Sequence, residues 1–276
     1  MSTVIGVITP GAMGASVAAA AVGNGAEVIW AGNGRSAETA ARAQRAGLQD
    51  CGSHMAMVAE AGIILCICPP HLAEDLAVEI AGLGFDGLYI EGNAISPART
   101  QHIESRLVAA GAEMVDGGII GGPAWEHSAG TRFYLSGDRA EEAAAEFAGS
   151  PLEAHVIAGG VGAASALKMT FAAYTKGTTA LLTAILATAE NLGVRADLER
   201  QWGDVFTSDT HKRVAGNTAK AWRFAGEMQE IAATLESAGL PGGFHMGAAE
   251  VFERLAGFKD APTPLIEDVL GALQQD

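Results

Sequence analysis

Val4-Ile5-Gly6-Val7-Ile8-Thr9-Pro10-Gly11-Ala12-Met13-Gly14 opens the chain as a short apolar run that breaks at Pro10 and Gly11 and passes into alanine-rich sequence. A continuous apolar run of this length, bounded by a turn, is the pattern of a strand buried on both faces. The small residues over 13–22 then read as a helix. A strand running into a glycine turn and a helix is the dinucleotide fingerprint, here with Thr9 in place of the first glycine. Gly11 lets a pyrophosphate approach the backbone, Gly14 lets the helix pack on the strand, and the amides at the helix start are free donors. Thr9, Pro10, Gly11, Ala12, Met13 and Gly14 are therefore candidate cofactor residues. A turn without a ligand uses glycine in the same way, so its setting in the chain decides.

That setting is an alternation. Apolar runs over 4–9, 27–31, 63–68 and 87–91 read as strands, and amphipathic segments over 13–22, 37–46, 72–81 and 98–110 as helices. Strand–helix alternation predicts a doubly wound, mostly parallel sheet, an α/β Rossmann domain. Two further strands are expected over 113–116 and 131–136 around a glycine-rich loop, then a helix over 138–147 and a short strand over 155–157. After Gly159 the character changes. Residues 163–192 form one long apolar stretch of helical spacing, and no strand pattern follows it, so the second part is all-α. The boundary falls at 158/159: residues 1–158 form the Rossmann domain and 159–276 an all-helical domain. Lys168 and Lys176 interrupt the long helix, which argues against a membrane span.

Composition narrows the function classes. The 276 residues are 49% apolar and 18% charged with 36 glycines, a globular composition. The net charge of −15 excludes a nucleic-acid or anionic-membrane surface, because both need a basic patch, and an anionic cofactor must find a local positive site. No signal-peptide pattern is present, and the expected location is the cytoplasm. The three cysteines, Cys51, Cys66 and Cys68, are odd in number. Cys66 and Cys68 lie two apart on one strand face and read as reduced core thiols. No His and carboxylate cluster has metal-ligand spacing.

Beyond the second strand the chain reads Ala31-Gly32-Asn33-Gly34-Arg35-Ser36. An NAD-specific site normally has a carboxylate here for the ribose hydroxyls, and it would repel a 2′-phosphate. This strand ends without one. Arg35 can fork onto a phosphate with Asn33 and Ser36 beside it, which points to NADP(H). The plainer reading is an exposed arginine next to a helix cap.

Taken in order, these segments resemble the β-hydroxyacid dehydrogenase superfamily, which includes 6-phosphogluconate dehydrogenase and relatives of the imine reductases. The resemblance is in particular to the branch with a 6-phosphogluconate-dehydrogenase-like C-terminal domain, the domain of unknown function DUF1932. Residues 6–14 look like the family's cofactor turn, and Cys68, Pro69 and Pro70 like the loop over the nicotinamide. Asn93 and Ala94, in the segment 93–97, look like the family's Ser-Thr-x-x-Pro. Asp-Gly-Gly-Ile-Ile-Gly-Gly-Pro at 116–123 looks like the substrate-binding stretch, with Asn93, Ile120, Gly121 and Gly122 as its contacts. Residues 162–172 look like the helix of the catalytic lysine. Two positions depart from the pattern: Ile120 replaces the usual serine and Ala172 the usual asparagine. The site has lost two polar contacts, which implies a larger or less polar substrate than a short 3-hydroxy acid.

The resemblance implies hydride transfer between the nicotinamide and a carbonyl/alcohol or imine/amine substrate in an interdomain cleft, with Lys168 assisting proton transfer. Lys168 suits this chemistry, since a partly desolvated lysine can move a proton at the heteroatom. It follows Gly162, Ala163, Ala164 and Ser165, small residues that admit a substrate. The alternative is a lysine snorkelling to the surface. Lys176, eight residues on, lies about 80° round an unbroken helix. Glu227, three residues before Glu230, can bind a cationic substrate group or simply pair with Arg223 and Lys220. His245 can relay a proton or cap a helix, and Trp125 and Tyr174 are walls of the site or plain core. The resemblance also implies a homodimer through the C-terminal helices. Two rivals stay open. One is a non-catalytic NADP-binding sensor or dimeric scaffold. The other is a decarboxylating sugar-acid dehydrogenase, which needs a phosphate clamp from Arg195, Arg200, Lys212 and Arg213.

Overall fold

The structure, a computed structural model, describes residues 3–259 and 261–274. It divides into two compact units, Met1–Lys168 and Met169–Asp276. The division comes ten residues after the expected 158/159. The reason is local: the amides of Gly162 and Ser165 bond to the Asp116 carboxylate and that of Ala164 to the Ser136 hydroxyl, so the start of the long helix belongs to the sheet.

The first unit is built on an eight-stranded sheet of β1 (Val4–Val7), β2 (Glu27–Trp30), β3 (Gln49–Asp50), β4 (Ile63–Cys66), β5 (Leu88–Glu91), β6 (Glu113–Ile120), β7 (Arg132–Ser136) and β8 (Glu153–Val156), in the order β3-β2-β1-β4-β5-β6-β7-β8. All neighbours are parallel except β6 and β7. β4 and β5 are buried at every position, as central parallel strands covered on both faces must be. The chain order reverses between β1 and β4, so the turn after β1 opens at the topological switch point where doubly wound sheets bind ligands. One apolar core, around Val17, Leu65 and Ile90, covers one face, and a second, around Ile64, Tyr89 and Ile103, covers the other.

Helices α1 (Ala12–Gly23), α2 (Ala37–Arg45), α3 (His54–Glu60), α4 (Ala73–Gly82), α5 (Pro97–Ala109) and α6 (Ala140–Ala145) alternate with the strands. β3 and α3 are additional to the elements expected from the sequence. β3 is two exposed residues and α3 seven, too short for periodicity to register. A third difference lies in β6, which runs on through the stretch expected as a glycine-rich loop. A Cβ on Gly117 would stand 2.4 Å from the Phe133 ring, and one on Gly118 2.6 Å from the Ala164 carbonyl oxygen. These glycines serve close packing within a strand.

The expected single helix over 163–192 is three pieces: α7 (Ala163–Ala172), a π-helical turn at Ala173–Gly177 and α8 (Thr178–Asn191). A step of 100° per residue does not hold through a π turn, so the separation of Lys168 and Lys176 read from an unbroken helix does not apply. The second unit continues with α9 (Arg195–Trp202), α10 (Asp204–Thr218), α11 (Ala221–Ser237), α12 (Gly243–Arg254) and α13 (Ile266–Leu273), and it has no strand among the described residues. Helices α11 and α12 pack through Phe224 and Phe252, whose rings meet edge to face at 5.3 Å. Among the described residues no helix is long and apolar enough to cross a membrane.

Candidate active site

The turn after β1 has the two glycine roles separated cleanly. A Cβ on Gly14 would lie 2.5 Å from the Thr9 carbonyl oxygen and 3.5 Å from that of Ile67, so α1 can sit this close to β1 only with glycine there. A Cβ on Gly11 would meet nothing within 4 Å. Gly11 is the N-cap of α1, and no side chain caps the helix, so the first amides of Ala12 and Met13 are left for another acceptor. An open approach and free amide donors suit the pyrophosphate of a dinucleotide.

Two arginines supply the positive charge that the net −15 made necessary. Arg35 is half-buried and donates from Nη2 to the Ile8 carbonyl at 3.3 Å, and Arg42 of α2 donates from Nε to the Pro10 carbonyl at 3.3 Å. Ser36 is occupied as the N-cap of α2, accepting from the Thr39 amide, while exposed Asn33 lines a pocket of about 340 Å³ with Ala31, Gly34, Arg35, His54 and Glu79. The sequence of β2 ends without a carboxylate, yet the neighbouring strand brings one: Asp50 accepts from the Gly32 and Gly52 amides at 2.9 and 2.8 Å. Both bonds hold Asp50 on backbone, bracing the end of β2.

Asn93, expected as a substrate and cofactor contact, is also bonded within the fold. It is buried, its Oδ1 accepts from the Cys68 amide, its Nδ2 donates to the Cys66 thiol at 3.4 Å, and its amide donates to Glu91 Oε1 at 3.0 Å. Asn93 therefore ties the loop of Cys68, Pro69 and Pro70 to the end of β5, with half-buried Ala94 following it. The thiols of Cys66 and Cys68 are free and 3.9 Å apart. Burial, with the Cys66 thiol next in importance, pushes the Glu91 carboxyl well above its ordinary range.

Lys168 stands at the carboxyl edge of the same sheet. β6 continues four residues beyond Asp116, which pairs with the last residue of β5, Glu91. At that extension Lys168 Nζ donates to the Ile119 carbonyl at 2.6 Å. The helix carrying it is fastened by Asp116, which accepts from the Gly162 and Ser165 amides at 2.9 Å each and from the Ser165 hydroxyl at 2.6 Å. Burial raises the Asp116 carboxyl, and the bonds from Ser165, Gly162 and Ser136 oppose that shift. Ile120 ends β6 half-buried, and Gly121 and Gly122 follow exposed, with Gly121 at φ 132°. Trp125 packs against the main core with the Arg45 guanidinium 4.2 Å above its ring, which is the plain structural reading. The loop is pinned to α1 by Ser16, whose hydroxyl accepts from the Ala124 amide and donates to the Met13 carbonyl.

In the second unit, Tyr174 is 66% exposed on the π turn and is not core. Glu227 is buried and pairs with Lys176, so neither the expected partners Arg223 and Lys220 nor a free carboxylate pair with Glu230 describes it. Burial lowers the Lys176 amine, against the pull of Glu227. Arg223 and Lys220, at the start of α11, act on the pair as nearby positive charges that lower the Lys176 amine further. His245 is buried against Gly177, where an added Cβ would stand 2.9 Å from its Nε2, and among the described residues neither ring nitrogen has a hydrogen-bond partner of good geometry, the Ala173 backbone being its weak neighbour. Burial lowers its pKa. Of the four candidates for a sugar-phosphate clamp, Arg195 bonds Glu190, Glu199 and Glu267, and Arg200 pairs with Asp197.

Residues 4–154 match the family model described as the NAD binding domain of 6-phosphogluconate dehydrogenase. The chain belongs to that family. Residues 189–255 match a second model, the domain of unknown function DUF1932. A search of curated proteins found no match. Among solved structures the chain is similar to a conserved protein of unknown function, MTH1747, described as structurally similar to 3-hydroxyacid dehydrogenases. The identity is 25%, the TM-score 0.66, and the match covers 92% of this chain and 97% of the other. The 3-hydroxyisobutyrate dehydrogenase of Mycobacterium tuberculosis, solved with L-serine, shares the fold at TM-score 0.69 and 19% identity over 100% of both chains. An imine reductase variant from Myxococcus stipitatus, solved with NAD+, does so at TM-score 0.57 and 17% identity over 100% of both.

For a member of the 6-phosphogluconate dehydrogenase NAD binding family, several residues at the site went unread in the sequence. Arg42, Asp50, His54, Glu79, Ser16 and Asp116 as a helix anchor each make at least one bond to a residue 18 or more positions away. The close approach of Asp50 to Gly32, where an added Cβ would stand 2.2 Å from the carboxylate, shows only in the structure.

Proposed function

We propose that this chain is an NADP(H)-dependent oxidoreductase acting on a carbonyl/alcohol or imine/amine substrate, with Lys168 as its proton-transfer residue. The observation that carries the reading is the Lys168 amine, fixed on the Ile119 carbonyl at the same sheet edge as the uncapped, open glycine turn. The two chemistries are those named by relatives with this fold, a hydroxyacid dehydrogenase and an imine reductase. When bound, the nicotinamide supplies or accepts the hydride at the substrate carbon. Lys168 gives a proton to the heteroatom as negative charge develops there, and takes it back in the oxidative direction. The Ile119 bond and the Asp116 clamp hold the amine in place, so little orientation remains to be fixed when substrate arrives. Ile120 offers no hydrogen bond where a serine would, which favours a larger or less polar substrate. The NADP preference rests on Arg35, half-buried in the loop after β2 and lining a pocket that Asp50 does not line and in which the Glu79 carboxylate is bonded to His54.

Titration of the protein with NADPH and NADH by nucleotide fluorescence tests the cofactor. NADPH is expected to bind at least tenfold more tightly (about 1.4 kcal/mol), and Arg35→Ala to abolish the difference. Absence of binding by either would reduce residues 9–14 to a structural turn and remove the enzyme reading. Lys168→Met, which keeps the stem packed on Gly118, is expected to lower turnover by roughly 10²–10⁴ with cofactor affinity unchanged. Unaltered turnover would refute the role of Lys168.

A further inference from the structure

His54 stands in the first turn of α3, outside the glycine turn and the β2 end, yet its ring lines the pocket of Arg35. Its Nδ1 lies 2.7 Å from Glu79 Oε1 of α4 and its Nε2 3.5 Å from Arg35 Nη2. The short contact fixes the proton: a carboxylate only accepts, so Nδ1 carries hydrogen and Nε2 is the atom turned towards the guanidinium. At 3.5 Å the bond from Arg35 to Nε2 is weak, and the guanidinium already has the Ile8 carbonyl. The ring is thus held firmly from behind, with Nε2 only weakly bonded beside a cation that lines the same pocket.

Counting charge shows what this arrangement suits. With neutral imidazole the pocket sums to zero, Arg35 against Glu79, a poor site for an anion. With one added proton on Nε2 it becomes net positive, and Arg35 and His54 each present N–H donors to the same space. The ligand that matches is a phosphate dianion, which carries three acceptor oxygens and roughly −2 near neutral pH. The groups facing His54 are Arg35 from the β2–α2 loop and Glu79 from α4. β1 brings no charged residue, Asp50 is held by the Gly32 and Gly52 amides, the Cys51 thiol donates to the Trp30 carbonyl, and Glu74 of α4 is engaged by His102.

We propose that His54, oriented by Glu79, is a second ligand of the 2′-phosphate of NADP(H), and that NADP(H) binding takes up a proton at its Nε2. Arg35 and His54 then clamp the phosphate from two sides, while Glu79 keeps the ring from turning away. This inference rests on the NADP reading of the β2 end.

Calorimetric titration of the full-length protein at pH 7.5, in two buffers of different ionisation heat, measures affinity and proton uptake together. NADPH is expected to take up a measurable fraction of a proton and NADH none. His54→Gln should raise the NADPH Kd about tenfold, leave the NADH Kd within about twofold and abolish the uptake. If NADH binding also fails, the substitution has disturbed the fold. Glu79→Gln, at a side chain half exposed to solvent, then decides by lowering proton uptake and weakening NADPH alone. Wild-type NADPH affinity and uptake in both variants, with the NADPH preference intact, would overturn the role of His54 and leave the NADP reading standing. Equal binding of NADH and NADPH by the wild type, insensitive to Arg35→Ala, would overturn both.

Discussion

Replacing each glycine of the turn by alanine should separate folding from cofactor binding. At Gly14 the new methyl falls 2.5 Å from the Thr9 carbonyl oxygen, a backbone atom that can retreat only if α1 moves off β1. Overpacking of this kind costs about 1–3 kcal/mol, offset by the roughly 1 kcal/mol that alanine gains over glycine within a helix. A net loss of about 0–2 kcal/mol is expected. At Gly11 the methyl enters open space, and its φ of −68° is ordinary for alanine. Weaker capping costs a few tenths of a kcal/mol to about 1, and the stiffer unfolded chain returns about 0.4–1, so stability should stay within about 0.5 kcal/mol of wild type. The same methyl occupies the face offered to the pyrophosphate, and NADPH affinity should fall at least tenfold, about 1.4 kcal/mol. Urea denaturation paired with NADPH fluorescence titration reads both quantities. A stable Gly11→Ala protein that binds NADPH as tightly as wild type would refute the reasoning, because the open face would then not be the ligand's approach.

Three further outcomes follow from the buried charges and the family resemblance. Lys176→Met leaves Glu227 buried without its partner and should cost about 3–5 kcal/mol, most of it recovered when Glu227→Leu is added; a single-variant loss under about 1 kcal/mol in urea denaturation would contradict the pair's burial. Burial raises the folded-state pKa of Glu91 above its unfolded value, so its stabilising, protonated form is complete below the unfolded pKa, and stability falls as pH rises towards the folded value, by up to about 1.4 kcal/mol per pH unit. Glu91→Gln should therefore be more stable than wild type at pH 8, with the gain shrinking towards pH 4, and a gain independent of pH would exclude this cause. A homodimer, as the resemblance implies, should sediment at twice 28.1 kDa, and a monomer at micromolar concentration would remove it.

Much of the first unit was legible in the chain. Buried parallel strands are continuous apolar runs and the helices between them carry a 3.6-residue period, so β1, β2, β4 and β5 were readable as strands and the glycine turn found its place among them. The same local logic misjudged β6, where Gly117 and Gly118 resemble loop glycines but are required by the Phe133 ring and the α7 backbone pressed against them. It also missed the π turn, whose extra residue leaves no mark in an apolar pattern.

The candidate site divides along the same line. Thr9 to Gly14, Arg35 and Lys168 announce themselves because each stands in a local pattern or a family motif. What holds them is set by pairs remote in sequence: Asp116 on Ser165, Asn93 on Cys68, Arg42 on Pro10, Glu79 on His54. A hydrogen bond between side chains on separate elements has no periodicity and no spacing rule, since its partners meet only when sheet order and helix packing bring them together. Sequence alone determined that the chain makes a doubly wound sheet with a dinucleotide turn, because periodicity and glycine geometry are local. The tertiary structure alone decided which carboxylate braces β2, which acid anchors the lysine helix and which charges share the pocket of Arg35, because those are contacts across the fold.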